Sequence, residues 1–410
     1  MLAQSAHDDS PSRPLSGPRR SSPRRAATVF WIWAPSLVPA ALTAAVGLLG
    51  LAGPALGPDE TLRLTLSVPD PAAIVESARL ADAVNAPYHL FLHYWTGLFG
   101  DAASTVRLPS LVAMVLGVGF AGELGRRILS PGAGLYGGLL LVALVPVSRY
   151  AQEAGPYALA FLFATAATLV LYRTLDRPRW WRWTGYGLLV IGTGLAQVTA
   201  LLMLAGHAYI VVSRWRLSRQ SALFWWFPVT VLSLVPPAPL ISLGLRQHAA
   251  LLAFRPQARW EMAWSAPEAL AGAAGLVVAG LALAARWPDR ALIRELAVLA
   301  AVPPLVLLAG SFLTGPLWAP QHVLFVLPPI ALCAAVALRG LRLRAVLVLA
   351  LVVLLAVPQH RAVRAPSGHQ PLALAERHHQ DRLGATAGPV AQLDAAAQLT
   401  GGERPDDLQT

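Results

Sequence analysis

The 410-residue sequence contains no lysine and a single cysteine, Cys333. One thiol excludes a disulfide within the chain and any cysteine-rich metal site. Charge is scarce as well. Charged residues make up 13% of the chain, against about 25% in soluble globular proteins. No G-x-S-x-G elbow, Walker loop or H-E-x-x-H motif is present, so the common soluble hydrolytic, nucleotide-binding and zinc-protease chemistries lack their signatures. No internal repeat is strong enough to suggest a transporter built from two related halves.

What the chain has instead is apolar length. Hydrophobic residues make up 56% of it, with a mean hydropathy of +0.55. Runs able to cross about 30 Å of hydrocarbon recur along most of the sequence. These features predict an all-α polytopic membrane protein. The net charge of +11 comes entirely from arginine, 32 residues of it. The arginines fall in short clusters between apolar runs, which is the positive-inside pattern and not a nucleic-acid patch. Arginine and alanine without lysine also fit a GC-rich bacterial genome.

The clusters Arg126-Arg127, Arg173 to Arg182, Arg214 to Arg219, Arg286 to Arg294 and Arg339 to Arg344, together with the N-terminal tail, hold 20 of the 32 arginines. Placing these inside leaves apolar intervals that each fit two helices and one outward turn. The expectation is about 11 spans in a bacterial cytoplasmic membrane, N-terminus inside and C-terminus outside. Residues 1–27, rich in Ser, Pro and Arg, read as a disordered cytoplasmic tail. Residues 28–357 form the membrane domain, and 358–410 read as a polar, largely disordered outer tail with a short helix near 371–382. The first outer segment runs from about 53 to 107. Within it, Ala86 to Phe99 is too short for a comfortable span and reads as an interfacial or re-entrant helix on the outer face.

On this topology the acids gather outside. Asp59, Glu60, Asp70, Glu76 and Asp82 lie in the first outer segment, and Glu153 in the next outer turn. Ionisable residues at a membrane edge are functional candidates. Asp70 and Glu76 read as ordinary solvated acids, whereas Asp59-Glu60 directly follow a span. His89 and His93 have the i, i+4 spacing of a metal pair, but no third ligand is in view, so they read as hydrogen-bonding residues at an interface. Trp180, Trp181 and Trp183 form an aromatic belt at the inner surface.

Three stretches carry a family likeness: "LGPDETLRL", "DAVNAPYHLFLHYWTGLFGDAASTVRLPSLVAMVLGVGFAGELGRRI" and "SRYAQEAGPYALAFLFATAATLVL". In this order they resemble the bacterial relatives of protein O-mannosyltransferases and aminoarabinose transferases, which are C-type membrane glycosyltransferases. The nearest likeness is to actinobacterial membrane mannosyltransferases. It covers roughly residues 50 to 180 well. From 200 to 344 only hydropathy and "HVLFVLPPIAL" agree. The resemblance implies a sugar, mannose by inheritance, carried on a polyprenyl phosphate and transferred with inversion to an extracytoplasmic acceptor. It implies Asp59 as general base, with Glu60 supporting it or holding the acceptor. Asp82 and Glu153 would bind sugar hydroxyls, or with Asp59 a divalent cation. Tyr88, His89, Gln152 and Tyr157 would line the cavity, and Arg149 and His322 would face the phosphate. A lipid-linked saccharide carrier and an inactive family member are the competing readings. Two departures from the family pattern stand out. Gly155 occupies the arginine position of "QEARPYAL", and Gln321-His322 stand where an "RY" pair is usual.

Overall fold

The computed structural model describes residues 23–52, 55–218, 224–252, 260–285, 290–314, 317–340 and 344–364. Most of the two polar tails, including the short helix expected near 371–382, lies outside the described residues. Where they meet the bundle, both tails are shorter than the sequence suggested. Helix α1 (Pro23–Leu48) already includes Pro23 to Ala27, and the last helix, Arg344–Arg364, runs past residue 357.

All regular structure among the described residues is helical. After α1 come α2 (Pro58–Ser67), α3 (Pro71–Leu80) and α4 (Ala86–Phe99), then α5 (Ala103–Ile128), α6 (Pro131–Ala143), α7 (Val145–Ala151), α8 (Tyr157–Asp176) and α9 (Trp180–Ala196). The bundle continues with α10 (Met203–Ser218), α11 (Trp226–Leu234), α12 (Ala238–Leu252), α13 (Trp260–Leu283), α14 (Arg290–Thr314), α15 (Leu327–Gly340) and α16 (Arg344–Arg364). Five helical stretches are by themselves long and apolar enough to cross a membrane: 103–128, 157–176, 198–216, 291–313 and 320–338. Two bent pairs, α6 with α7 at 68° and α11 with α12 at 55°, raise the number to seven. Shorter apolar helices at 32–48, 272–283 and 345–358 occupy further expected span positions. The protein is a multi-pass membrane protein.

Proline explains the bends. Pro146 enters the first turn of α7, where its missing N–H costs nothing, and Leu144 just before that helix is extended. Pro236, Pro237 and Pro239 break the run between α11 and α12 in the same way. Such breaks survive in a membrane because neighbouring helices satisfy the freed backbone groups.

Helices α5 and α8 form the centre of the core, burying Met114, Val118, Ala121, Phe161, Leu171 and Tyr172. Small residues let the backbones meet. A Cβ at Gly122 would collide with the carbonyl of Pro35 on α1, so α1 lies directly on α5.

Helix α4 has the bounds its sequence suggested. It carries an exposed stripe of Phe91, Tyr94, Leu98 and Phe99 at helical spacing, while Tyr88, His89 and Leu92 face inward. That two-faced character suits a helix lying along the membrane boundary. Its inner side is fastened by His93 Nδ1 to the Ser67 carbonyl at 3.0 Å and by the Trp95 indole donating to Thr105 O at 2.9 Å. The acids read as solvated stay at the surface. Asp70 caps α3 by accepting from Ala73 N, and Glu76 pairs with Arg79 in the open.

Candidate active site

The two adjacent acids of α2 part company at once. Successive residues on a helix do not share a face. Asp59 is exposed, whereas Glu60 is 1% exposed. Glu60 points inward to Arg107 of α5, itself 1% exposed, in a two-pronged pair: Arg107 Nε donates to Oε1 at 2.8 Å and Nη2 to Oε2 at 2.6 Å. Each carboxylate oxygen accepts once more, Oε2 from Gly57 N at 2.9 Å and Oε1 from Ala154 N at 2.8 Å. Burial alone would raise the Glu60 pKa, but the Arg107 guanidinium and the two backbone donors overcome it and hold it below the ordinary carboxylate value. With four donors on two oxygens, Glu60 has no capacity left for a substrate. Glu60 thus anchors α2, and its place beside Asp59 is one of support. Arg107 also donates to the carbonyls of Leu51 and Ala55, so one buried knot joins the end of α1, α2, α5 and the turn before α8.

One turn beyond Asp59, on the same face of α2, stands Arg63. Its Nη1 donates to Ala154 O at 2.8 Å and pairs with Glu153 Oε1 at 3.3 Å, and its Nη2 reaches the Tyr157 hydroxyl at 3.4 Å. The guanidinium also lies 5.4 Å from the Tyr157 ring centroid. Burial opposes its charge, yet Tyr157, Glu153 and Asp59 outweigh burial and raise its pKa above the ordinary arginine value. Glu153, 7% exposed, sits between two arginines, with Arg149 Nε 3.5 Å from its other oxygen. Tyr157 in turn faces Tyr150 edge-on at 5.5 Å and the His322 ring at 6.4 Å. Asp59, Arg63, Arg149, Glu153, Tyr157 and His322 are thus gathered around one spot, and the Asp59 charge is felt at both arginines.

Of the other expected site residues, Asp82, Tyr88 and His89 lie within electrostatic reach of Arg63, and Gln152 is directed elsewhere. Gln152 turns to α1, donating to the carbonyls of Val46 and Gly47 at 2.9 and 3.2 Å and bracing that helix. Asp82, in a left-handed turn with φ 61°, is exposed and accepts from Asn85 Nδ2 at 2.7 Å. His89 is buried beside it. Burial lowers the His89 pKa, with Asp82 opposing the shift and Arg63 adding to it, so the neutral ring is favoured. Tyr88 is buried, with no hydrogen-bond partner for its hydroxyl among the described residues. Among the described residues no group of three His, Cys, Asp or Glu could hold a metal ion.

Arg63 and Arg107 were not singled out in the sequence. For Arg63 a signal existed, since it follows Asp59 by four residues in "DETLR". It also stands beside Gly155. A Cβ on Gly155 would stand 3.3 Å from Arg63 Nη1 and 3.4 Å from the Tyr157 ring. The guanidinium of α2 fills the space beside this glycine.

Residues 86–242 match the family model described as dolichyl-phosphate-mannose-protein mannosyltransferase. Among solved structures, ArnT from Cupriavidus metallidurans bound to undecaprenyl phosphate aligns with a TM-score of 0.51 at 19% identity, covering 77% of this chain and 60% of that one. The chain has the C-type membrane glycosyltransferase fold. The apo form of the same ArnT aligns at 0.49 and 18% identity, covering 76% of this chain and 60% of that one. This chain therefore spans about three fifths of the length of the ArnT chain it matches. No curated protein matches the sequence.

Proposed function

We propose that this chain is an integral membrane glycosyltransferase that moves a sugar from a polyprenyl-phosphate donor to an acceptor hydroxyl at the extracytoplasmic face. The carrying observation is the arrangement at the outer end of α2. An exposed carboxylate, Asp59, lies one turn from a half-buried arginine, Arg63, that shares Glu153 with Arg149. Two guanidinium groups against one buried carboxylate leave positive charge for the phosphate of a donor, and Asp59 stands beside that charge at the solvent edge. Arginine forks suit phosphate oxygens. In the proposed reaction Asp59 takes the acceptor hydroxyl proton as the oxygen attacks the anomeric carbon from the side opposite the phosphate. The carbon–phosphate-oxygen bond breaks, its electron pair leaves on the polyprenyl phosphate, and the arginines stabilise that dianion. Inversion follows from the single displacement. Mannose, as the sugar, comes from the family likeness alone.

The likeness in fold to an ArnT bound to undecaprenyl phosphate supports the lipid-linked donor. The Arg63 guanidinium beside Gly155 speaks against reading this chain as an inactive copy. The test is Asp59→Asn in membranes supplied with a radiolabelled polyprenyl-phosphate sugar. Transfer is expected to drop by about 10²–10⁴-fold, with thermal stability unchanged. Full transfer by Asp59→Asn would remove Asp59 as the base. Lipid-linked sugar moving across vesicle membranes with no transfer in either variant would make the protein a carrier instead.

A further inference from the structure

A second lipid-facing feature lies at the far end of α8 from the site. The 20 residues of α8 run from Tyr157, inside the site, to Asp176, a rise of about 30 Å at 1.5 Å per residue. At that far end six arginines, Arg126, Arg127, Arg173, Arg177, Arg179 and Arg182, face two carboxylates. Glu123 is taken by Arg126 and Arg173, and Asp176 by Arg127 at 3.0 Å. Arg182 turns back to cap α8, donating to the carbonyls of Arg173 and Arg177 at 2.7 and 2.9 Å. Arg177 and Arg179 are exposed, and their side chains meet no carboxylate among the described residues.

Directly beside this charge a groove of about 570 Å³ opens between α9 and α11, within the range of about 300–1,000 Å³ in which small-molecule sites fall. Both helices start at this end of the bundle. Arg179, Trp180 and Trp225 line the groove where the helices begin, and Gly187, Ile191 and Leu232 line it further along. The helices touch at Gly187, where a Cβ would meet Ser233 Oγ at 2.9 Å, and this contact closes the back of the groove. Tryptophan sits at the head-group level of a bilayer, so the opening belongs in that layer with the slot beyond it in hydrocarbon. Unpaired guanidinium groups at the head-group level above an apolar slot are complementary to one class of molecule.

The geometry points to a binding site for an anionic phospholipid of the leaflet opposite the candidate active site, its phosphate on Arg177 and Arg179 and one acyl chain between α9 and α11. A basic pocket between transmembrane helices is a recognised way of selecting acidic head groups. The site is separate from the proposed donor site by the length of α8.

The test is quenching of tryptophan fluorescence in the intact protein, in nanodiscs titrated with brominated-acyl phosphatidylglycerol or brominated-acyl phosphatidylcholine. Half-maximal quenching is expected at a lower fraction of phosphatidylglycerol, and added salt should erase the difference. Arg177→Gln/Arg179→Gln, both at exposed positions, should weaken phosphatidylglycerol binding by about fivefold per arginine, on the order of 30-fold for the pair. Trp225→Phe should reduce the quenched amplitude. Equal titrations by the two lipids, an unchanged curve in the double variant, or an undiminished amplitude in Trp225→Phe would each overturn the assignment.

Discussion

Replacing Glu60 by glutamine is expected to unfold the protein's outer end before it touches any chemistry. The side chain keeps its shape, so no cavity opens, and the whole effect is electrostatic. Four donors converge on two carboxylate oxygens: Arg107 Nε and Ala154 N on one, Arg107 Nη2 and Gly57 N on the other. Glutamine offers one oxygen, so whichever way the amide turns, two of these donors face an NH₂ group. Arg107, at 1% exposure, loses its counter-charge. Breaking a buried pair by removing one partner costs about 3–5 kcal/mol, and each stranded buried donor accounts for about 1–3 kcal/mol of such a penalty. Thermal unfolding of detergent-purified protein, followed by intrinsic fluorescence, reads this directly. Adding Arg107→Met removes the stranded charge, so the double variant should be less destabilised than the sum of the singles, by up to about 3 kcal/mol for groups in contact. An unchanged midpoint in Glu60→Gln, or strict additivity in the double variant, refutes the reasoning.

Acid should act on the same knot. Because the Glu60 pKa is lowered from the ordinary 4.5, the stability it contributes is complete above that value and is lost as pH falls through the lowered one. The pH dependence of the unfolding midpoint below about 4.5 should therefore be shallower in Glu60→Gln than in the parent. Arg63→Gln should weaken donor use by about 2 kcal/mol, a few tens of fold, and Gly155→Arg on that background should recover part of it, since the new side chain starts 3.3 Å from the position Arg63 Nη1 vacates. No recovery in a transfer assay at varied donor concentration would break the link between the two positions. Gln152→Ala, which loses two hydrogen bonds to α1, should lower the unfolding midpoint by the equivalent of about 1 kcal/mol and leave the donor KM unchanged. A raised KM with intact stability would return Gln152 to the substrate.

Much of the architecture was legible because membranes impose long, one-dimensional signals. Arginine clusters and apolar runs locate spans, and the stretch from Ala86 to Phe99, apolar yet short, forms the separate helix expected of it. Site residues were harder to read, for a physical reason. The polar face of "YAQE" does not reveal that Gln152 points at α1 while Glu153 points at Arg63, because both directions are polar and the choice is made by packing. Likewise nothing near Asp59-Glu60 announces that one of them is claimed by an arginine 47 residues away. The three acids Asp59, Asp82 and Glu153 show the same thing. Acids that share a loop need not share a centre, and Asp82 is tied to Asn85 in its own turn.

The adjacency of Asp59 and Glu60 is then a consequence of helix geometry. The proposed base at the solvent edge, Asp59, is held by a short helix that has little core of its own: Glu60 and Ser67 are the buried residues of α2. Hydrophobic burial cannot fix so small an element, so a buried ion pair does. Glu60 pins α2 to α5 and, through Ala154 N, to the turn that carries Glu153. The next residue back is thereby aimed outward, and the residue one turn on is aimed at Glu153. Asp59 and Arg63 keep their relation to that carboxylate only while Glu60 is ionised and bound. The inward acid is what gives the outward acid a fixed address, so loss of Glu60 should abolish transfer through misplacement, whereas loss of Asp59 should abolish it in a protein that remains fully folded.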